Sequence, residues 1–229
     1  NGENGTLNSF ETYKKRLLSY GSTPDEVIIN NTKDTINKSF DSSLFSESIP
    51  INGELTDVII NQGKTSEDKT LLFRPDYESH KGAISEINDS PFLITEFDTN
   101  KLYPIAKAKL CNSSISLTSS DRKIPSGKIN EITGKPIMIK VPGKKLEIPC
   151  VFERTTSIIG SELAINIPEG QAHVTIPFLK HEKLKKGLFL SFYGEEYRVD
   201  DIDYSKVYED TGTIKLIAKK KVGGDSELV

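Results

Sequence analysis

Residues 81–98, KGAISEINDSPFLITEFD, and residues 186–203, KGLFLSFYGEEYRVDDID, decide the fold. At an offset of 105 and without a gap, Lys81 meets Lys186, Gly82 meets Gly187, Ile94 meets Val199 and Glu96 meets Asp201. Phe97 then meets Ile202, Asp98 meets Asp203, Lys101 meets Lys206 and Tyr103 meets Tyr208. A one-residue shift places Ala108-Lys109-Leu110 on Ile214-Lys215-Leu216. Each copy reads as basic residue, glycine, strand, tight turn, strand, acidic corner, tyrosine and strand, which marks an internally repeated unit.

The unit has a physical logic. Its glycine enters the first strand at a bend that tolerates no side chain. Asp89-Ser90 and Gly194-Glu195 are the expected hairpin turns. Phe92-Leu93-Ile94 and Tyr197-Arg198-Val199 return into the core. Short strands of this kind close most economically into a small barrel or sandwich, which removes exposed edges. Further short β segments, set apart by Gly, Asn, Asp and Pro, surround the repeat. They are expected at 57–60, 69–73, 83–87, 92–97 and 106–110, then at 136–141, 146–154, 163–167, 173–177, 188–193, 197–202 and 213–218. The fold class is therefore mainly β, with two related β-barrel or sandwich modules in tandem.

The first fifty residues differ. Asn8 or Ser9 can cap a short helix to Tyr20, with Gly21 stopping it. Thr23-Pro24-Asp25-Glu26 reads as N-cap, first-turn Pro and first-turn acids. The helical spacing of Ile28, Ile29, Ile36 and Phe40 continues that helix to Phe40, although its Asn and Thr residues oppose it. The expected layout is a helical arm over 1–49, a first β module over 50–113 and a polar linker or loop over 114–135, with one strand at 114–117. A second β module over 136–221 and a flexible tail over 222–229 complete it. Such an arm has too little apolar surface to fold alone. Phe10, Leu17, Ile28, Ile36, Phe40 and Phe45 are therefore the candidate interface residues, and the arm and the linker are expected to contact neighbouring subunits.

Of the 229 residues, 35% are hydrophobic and 28% charged, with a net charge of −3 and a mean hydropathy of −0.39. No apolar run reaches the ~20 residues of a membrane-spanning helix. The charge gives no whole-chain drive toward nucleic acid. The chain begins at Asn1 rather than Met, so a start inside a longer gene product is expected. Cys111 and Cys150 lack clustered ligand partners and are expected to be unbridged.

Catalytic and metal motifs are not met. His80, His173 and His181 lack ligand spacing, and the Gly-Lys pairs sit outside any phosphate-binding loop frame. The acidic corner Asp200-Asp201-Ile202-Asp203 lacks the spacing of a calcium loop. No enzyme activity and no cofactor are expected. The basic runs 180–186 and 219–221, near Phe189, Phe192, Tyr193 and Tyr197, keep one alternative open: a soluble single-strand nucleic-acid-binding β-barrel.

Several phrases resemble a family of virion proteins from phages of Gram-positive bacteria. They are Leu71-Leu72-Phe73-Arg74-Pro75-Asp76, Lys81-Gly82, Phe92-Leu93-Ile94-Thr95-Glu96 and the stretch from Tyr103-Pro104-Ile105 to Cys111-Asn112. The arm segment 29–37 and the closing segment 197–204 are similar to that family too. The resemblance implies a head–tail joining component, a β-barrel subunit of a neck or head-completion ring that joins or seals the portal vertex to the tail. It implies a cyclic homo-oligomer, portal or adaptor and tail proteins as partners, and genome DNA passing through the lumen. It also implies assembly in the host cytoplasm, residence in the virion and no membrane partner. Another virion ring, in the tail tube or at the tail end, is a further alternative.

Overall fold

The computed structural model describes residues 13–14, 21, 23–129, 133–154 and 170–221. The expected helix over 8–20, apart from Tyr13 and Lys14, the whole of the expected tail and the expected strand at 163–167 fall outside these. Helix α1 spans Pro24–Ser42. Thr23 caps it through a reciprocal pair of bonds: Glu26 N donates to Thr23 Oγ1, and Thr23 N to Glu26 Oε2, both at 3.3 Å. The helix tolerates its hydroxyl residues because Thr32, Thr35 and Ser39 donate back to the carbonyls of Ile28, Asn31 and Thr35.

The first β body is a closed barrel of six strands in the order β1-β2-β3-β6-β5-β4. Here β1 is Ser46–Ile51, β2 Glu54–Gln62, β3 Asp68–Phe73, β4 Ile84–Ile87, β5 Ser90–Asp98 and β6 Ile105–Leu110. The second comprises β7 (Ser113–Thr118), β10 (Lys145–Arg154), β11 (Gln171–Pro177), β12 (Phe189–Phe192), β13 (Glu195–Tyr208) and β14 (Thr211–Lys220). Its order is β7-β10-β11-β14-β13-β12, a nearly closed barrel. A separate hairpin pairs β8 (Arg122–Ile129) with β9 (Pro136–Val141).

The two bodies follow one plan. Strand for strand, β1-β2-β3-β6-β5-β4 corresponds to β7-β10-β11-β14-β13-β12. In the first copy β4 and β5 pair Ile84 with Leu93 and Ile87 with Ser90; in the second, β12 and β13 pair Phe189 with Arg198 and Phe192 with Glu195. Every one of these residues obeys the 105 offset. Gly82 and Gly187 both have positive φ, +90° and +87°. Gly82 N donates to Ile94 O at 2.8 Å and Gly187 N to Val199 O at 2.7 Å, again equivalent bonds.

The turns lie one residue earlier than the sequence predicts. Ser90 and Glu195 already pair in the ladder. The positive φ values fall on Asn88-Asp89 and Tyr193-Gly194, as a two-residue hairpin with right-handed strand twist requires.

Alternation sets each core. In β11 the pattern of half-buried and buried residues strictly alternates, with Ala172, Val174 and Ile176 inside. They join Ile115, Leu117, Ile148, Cys150, Leu190, Phe192, Tyr197, Val199, Ile214, Leu216 and Ala218. Phe152, Phe192 and Tyr197 stack edge and face within 4.6–6.1 Å of one another.

By packing, the chain divides into two compact units, Asn1–His80 with Glu96–Ala108, and Lys81–Thr95 with Lys109–Val229. Two of these bounds fall inside β5 and β6, and the third lies between His80 and Lys81, ahead of β4. The segment 114–135, expected as a linker, holds the predicted strand as β7 and also β8.

Helix α1 does not wait for a neighbouring subunit at every apolar position. Ile36 and Phe40 are 7% and 3% exposed, so much of their apolar surface already packs within their own unit. Arg74 explains the anchoring. Its guanidinium donates to Asp41 at 2.9 Å and Asp57 at 3.1 Å and lies 5.2 Å from the Phe40 ring centre. Lys33 adds an ion pair to Asp76 at 2.6 Å. Hydrogen bonds from Ser48 and Arg74 hold the Asp57 carboxyl below the usual range. Arg74→Ala is expected to cost about 1–2 kcal/mol, since the ion pairs are partly exposed. Amide exchange within α1 should speed up more than in β11, as measured by hydrogen exchange.

Candidate interaction surfaces

The acidic corner lies in β13, where the ladder to β14 slips between Val199 and Asp201 and between Asp203 and Lys206. Its carboxylates are engaged: Asp200 with Lys219 at 2.5 Å, and Asp201 with Lys186 at 2.7 Å. Asp203 accepts from Ser205 N at 2.8 Å. The lysine bond holds Asp201, and the Ser205 bonds hold Asp203, below the ordinary carboxylate range. These contacts stabilise two bulges in one strand. Among the described residues, no group of three or more His, Cys, Asp or Glu is placed to hold a metal ion. A cleft of about 200 Å³ is lined by Lys109, Glu153, Thr175, Asp203, Lys206 and Lys215; Lys109 and Glu153 form an ion pair within it.

His181 accepts from Lys183 N at its Nδ1 and sits 3.3 Å from Ser119 Oγ at its Nε2. His173 lies on β11 opposite Glu153 and Ile217. Burial first, then Lys215, push its pKa below the free value, while Glu153 pulls the other way. The neutral ring is thus the form that folding favours. Stability should fall as pH drops through the unfolded pKa of about 6.5 toward the lower folded value. His173→Gln should flatten the decline in Tm between pH 7 and pH 5, read by thermal melts at both.

Cys111 and Cys150 are free and buried, and burial pushes both thiols up to about 12. They act as small core residues. Phe192 and Tyr197, each 2% exposed, also belong to the core. That corrects their reading as a base-stacking platform, because a stacked base needs an open ring face. Phe189 and Tyr193 are exposed, with Lys221 Nζ 5.4 Å from the Phe189 ring centre. The basic runs face acids: Lys180 pairs with Asp210, Lys186 with Asp201, Lys220 with Glu195 and Lys221 with Glu196.

The remaining interface candidates divide. Ile28 and Phe45 are exposed at 64% and 67%, beside Ile29 and Leu44, while Phe10 and Leu17 lie outside the described residues. The surface that sequence reasoning reached only in part is the β8–β9 hairpin, where Ile124, Ile129, Ile137, Met138, Ile139 and Val141 are all exposed. The run Ile137-Met138-Ile139 was the available signal. The base of the hairpin is tied down: Ser119 N donates to Lys144 O at 3.1 Å, Gly143 N to Asp121 Oδ1 at 3.0 Å and Ser120 N to the Glu182 carboxylate. Among the described residues, no helix is long and apolar enough to cross a membrane.

The family described as the YomX C-terminal domain matches residues 109–219, which take in the second barrel and its inserted hairpin. No solved structure matches the chain. Over 181 residues the chain is 55% identical to the SPbeta prophage-derived protein YomX of Bacillus subtilis (strain 168), covering 78% of this chain and 84% of that one. With that identity over most of both lengths, the chain belongs to the prophage-derived YomX family.

Proposed function

We propose that this protein is a structural subunit of the phage particle, placed in a neck or head-completion ring that joins or seals the portal vertex to the tail. The observation that carries the reading is one six-stranded plan built twice in one chain of prophage-derived type. The closed first barrel leaves no open strand edge, so such subunits can stack side by side without running into open sheets. Rings arise when such subunits meet through heterologous contacts that close by rotation. Exposed Ile28, Leu44 and Phe45 supply apolar surface for those contacts. In this reading the protein is not an enzyme. Its partners are other copies of itself, a portal or adaptor protein and tail proteins, with genome DNA passing through the lumen.

The test is genetic and visual. Disrupting the gene in an inducible lysogen should yield filled heads and free tails that fail to join, seen by negative-stain electron microscopy. Antibody label on wild-type particles should fall between head and tail. Malformed tails with label along or at the tip of the tail would move the protein to the tail-tube or tail-end alternative. Normal joined particles without the protein would overturn a structural role.

A further inference from the structure

The hairpin has no counterpart in the first copy. There, β1 passes to β2 through the two residues Asn52-Gly53; between β7 and β10 the chain instead runs through residues 119–144. Barrel closure therefore does not need it. Cross-strand neighbours share a sheet face, and the register sets Ile124 opposite Ile139 and Arg122 opposite Val141. Ile137, two residues from Ile139, lies on that same face. Ile124, Ile137, Ile139 and Val141 are 47%, 44%, 50% and 38% exposed. An apolar face on a two-stranded sheet is marginal in water unless something covers it.

We propose that the β8–β9 hairpin is an assembly arm whose Ile124–Ile137–Ile139–Val141 face seats on a second copy of this chain, in the groove between α1 and the first barrel. The inference rests on the ring-subunit reading and names the contact that would build the ring. The groove is lined by Ile36, Phe40, Ile59, Leu72, Tyr103 and Pro104 and holds about 190 Å³. That exceeds the roughly 150 Å³ of a cavity that admits benzene, so an aliphatic side chain fits. Charge favours the same match at the level of the units, the groove lining itself being uncharged. The strands of the hairpin carry Arg122, Lys123, Lys128 and Lys140 and no acid. In the unit that holds the groove, Asp and Glu outnumber Lys and Arg. The side chains of the arm are aliphatic, whereas single-stranded nucleic acid is gripped by aromatic rings. Hairpin and groove are different surfaces, so the contact is heterologous and propagates from copy to copy.

Sedimentation velocity on the full chain tests this with three samples. Wild type should form species larger than a dimer. Ile137→Asp/Ile139→Asp should weaken association about 100-fold, as loss of two buried aliphatic chains implies, with circular dichroism and Tm unchanged. Ser39→Trp, which fills the groove from its exposed rim, should do the same. An equimolar mixture of the two variants should form dimers and stop there, since it holds one intact arm and one intact groove per pair. Monomeric wild type at 100 μM, or unaltered association in either variant, overturns the proposal. So does a mixture that stays monomeric. Binding of a fluorescent single-stranded oligonucleotide by wild type, lost in the hairpin variant while self-association persists, also overturns it. Particle incorporation separates this inference from the functional reading. Joined particles that contain the hairpin variant leave the virion role standing and remove the arm. A protein that self-associates through the arm but never enters particles does the reverse.

Discussion

Gly82→Ala is expected to destabilise the protein severely, by about 4 kcal/mol or more, into the range reserved for backbone collisions and strained dihedrals. A Cβ at position 82 would stand 1.9 Å from Gly212 O, a backbone atom that cannot rotate away. The φ of +90° adds the strain of a left-handed residue. The repeat supplies an internal control. Gly187 occupies the equivalent place with φ +87°, yet a Cβ there meets nothing within 4 Å. Gly187→Ala should therefore cost only the dihedral penalty, about 1–2 kcal/mol. Urea denaturation of both variants measures the contrast. Equal losses would mean that the approach of Gly82 to Gly212 is relieved at small cost.

The second large effect concerns Tyr197. It is 2% exposed, packs against Phe152 and Phe192, and donates from its hydroxyl to Glu195 at 2.7 Å. Tyr197→Ala should cost about 3–5 kcal/mol through the cavity it leaves. Tyr197→Phe should cost about 1 kcal/mol, because Glu195 keeps Lys220 at 2.5 Å. The repeat again agrees with the chemistry: the residue equivalent to Tyr197 in the first copy is Phe92, which is also buried. A loss above 3 kcal/mol in Tyr197→Phe would show that the hydroxyl, not the ring, organises that core.

Strands and repeat were legible because both rest on short-range rules. Period-two burial, as in β11, and a glycine in a left-handed bend leave marks that a linear reading can find. The turn positions were displaced by one residue, since the ladder bonds that make Ser90 and Glu195 strand residues are set by partners across the hairpin. The docking of α1 was hidden for a different reason. Arg74 lies more than thirty residues from Phe40 and Asp41, and such distant pairs have no local pattern. The hairpin was half visible: the apolar run of β9 stood out, while β8, with Pro125, Ser126 and Gly127, resembles a loop in composition. Its exposed face could not be read at all, because a strand sequence does not say whether its apolar side finds a cover within one chain.

The stretch from Ser119 to Lys144 also amounts to an insertion experiment already performed on this fold. A loop closure lengthened from two residues to that span would cost roughly 2 kcal/mol if it were slack. The bond from Ser119 N to Lys144 O pins the neck shut, so the barrel beyond it sees little change. The matching Asn52-Gly53 bend in the first copy is therefore expected to be a permissive cloning site. A peptide tag or a fluorescent reporter placed there, on a short self-pairing stem, should leave the first barrel folded and give genetic access to the protein inside living cells.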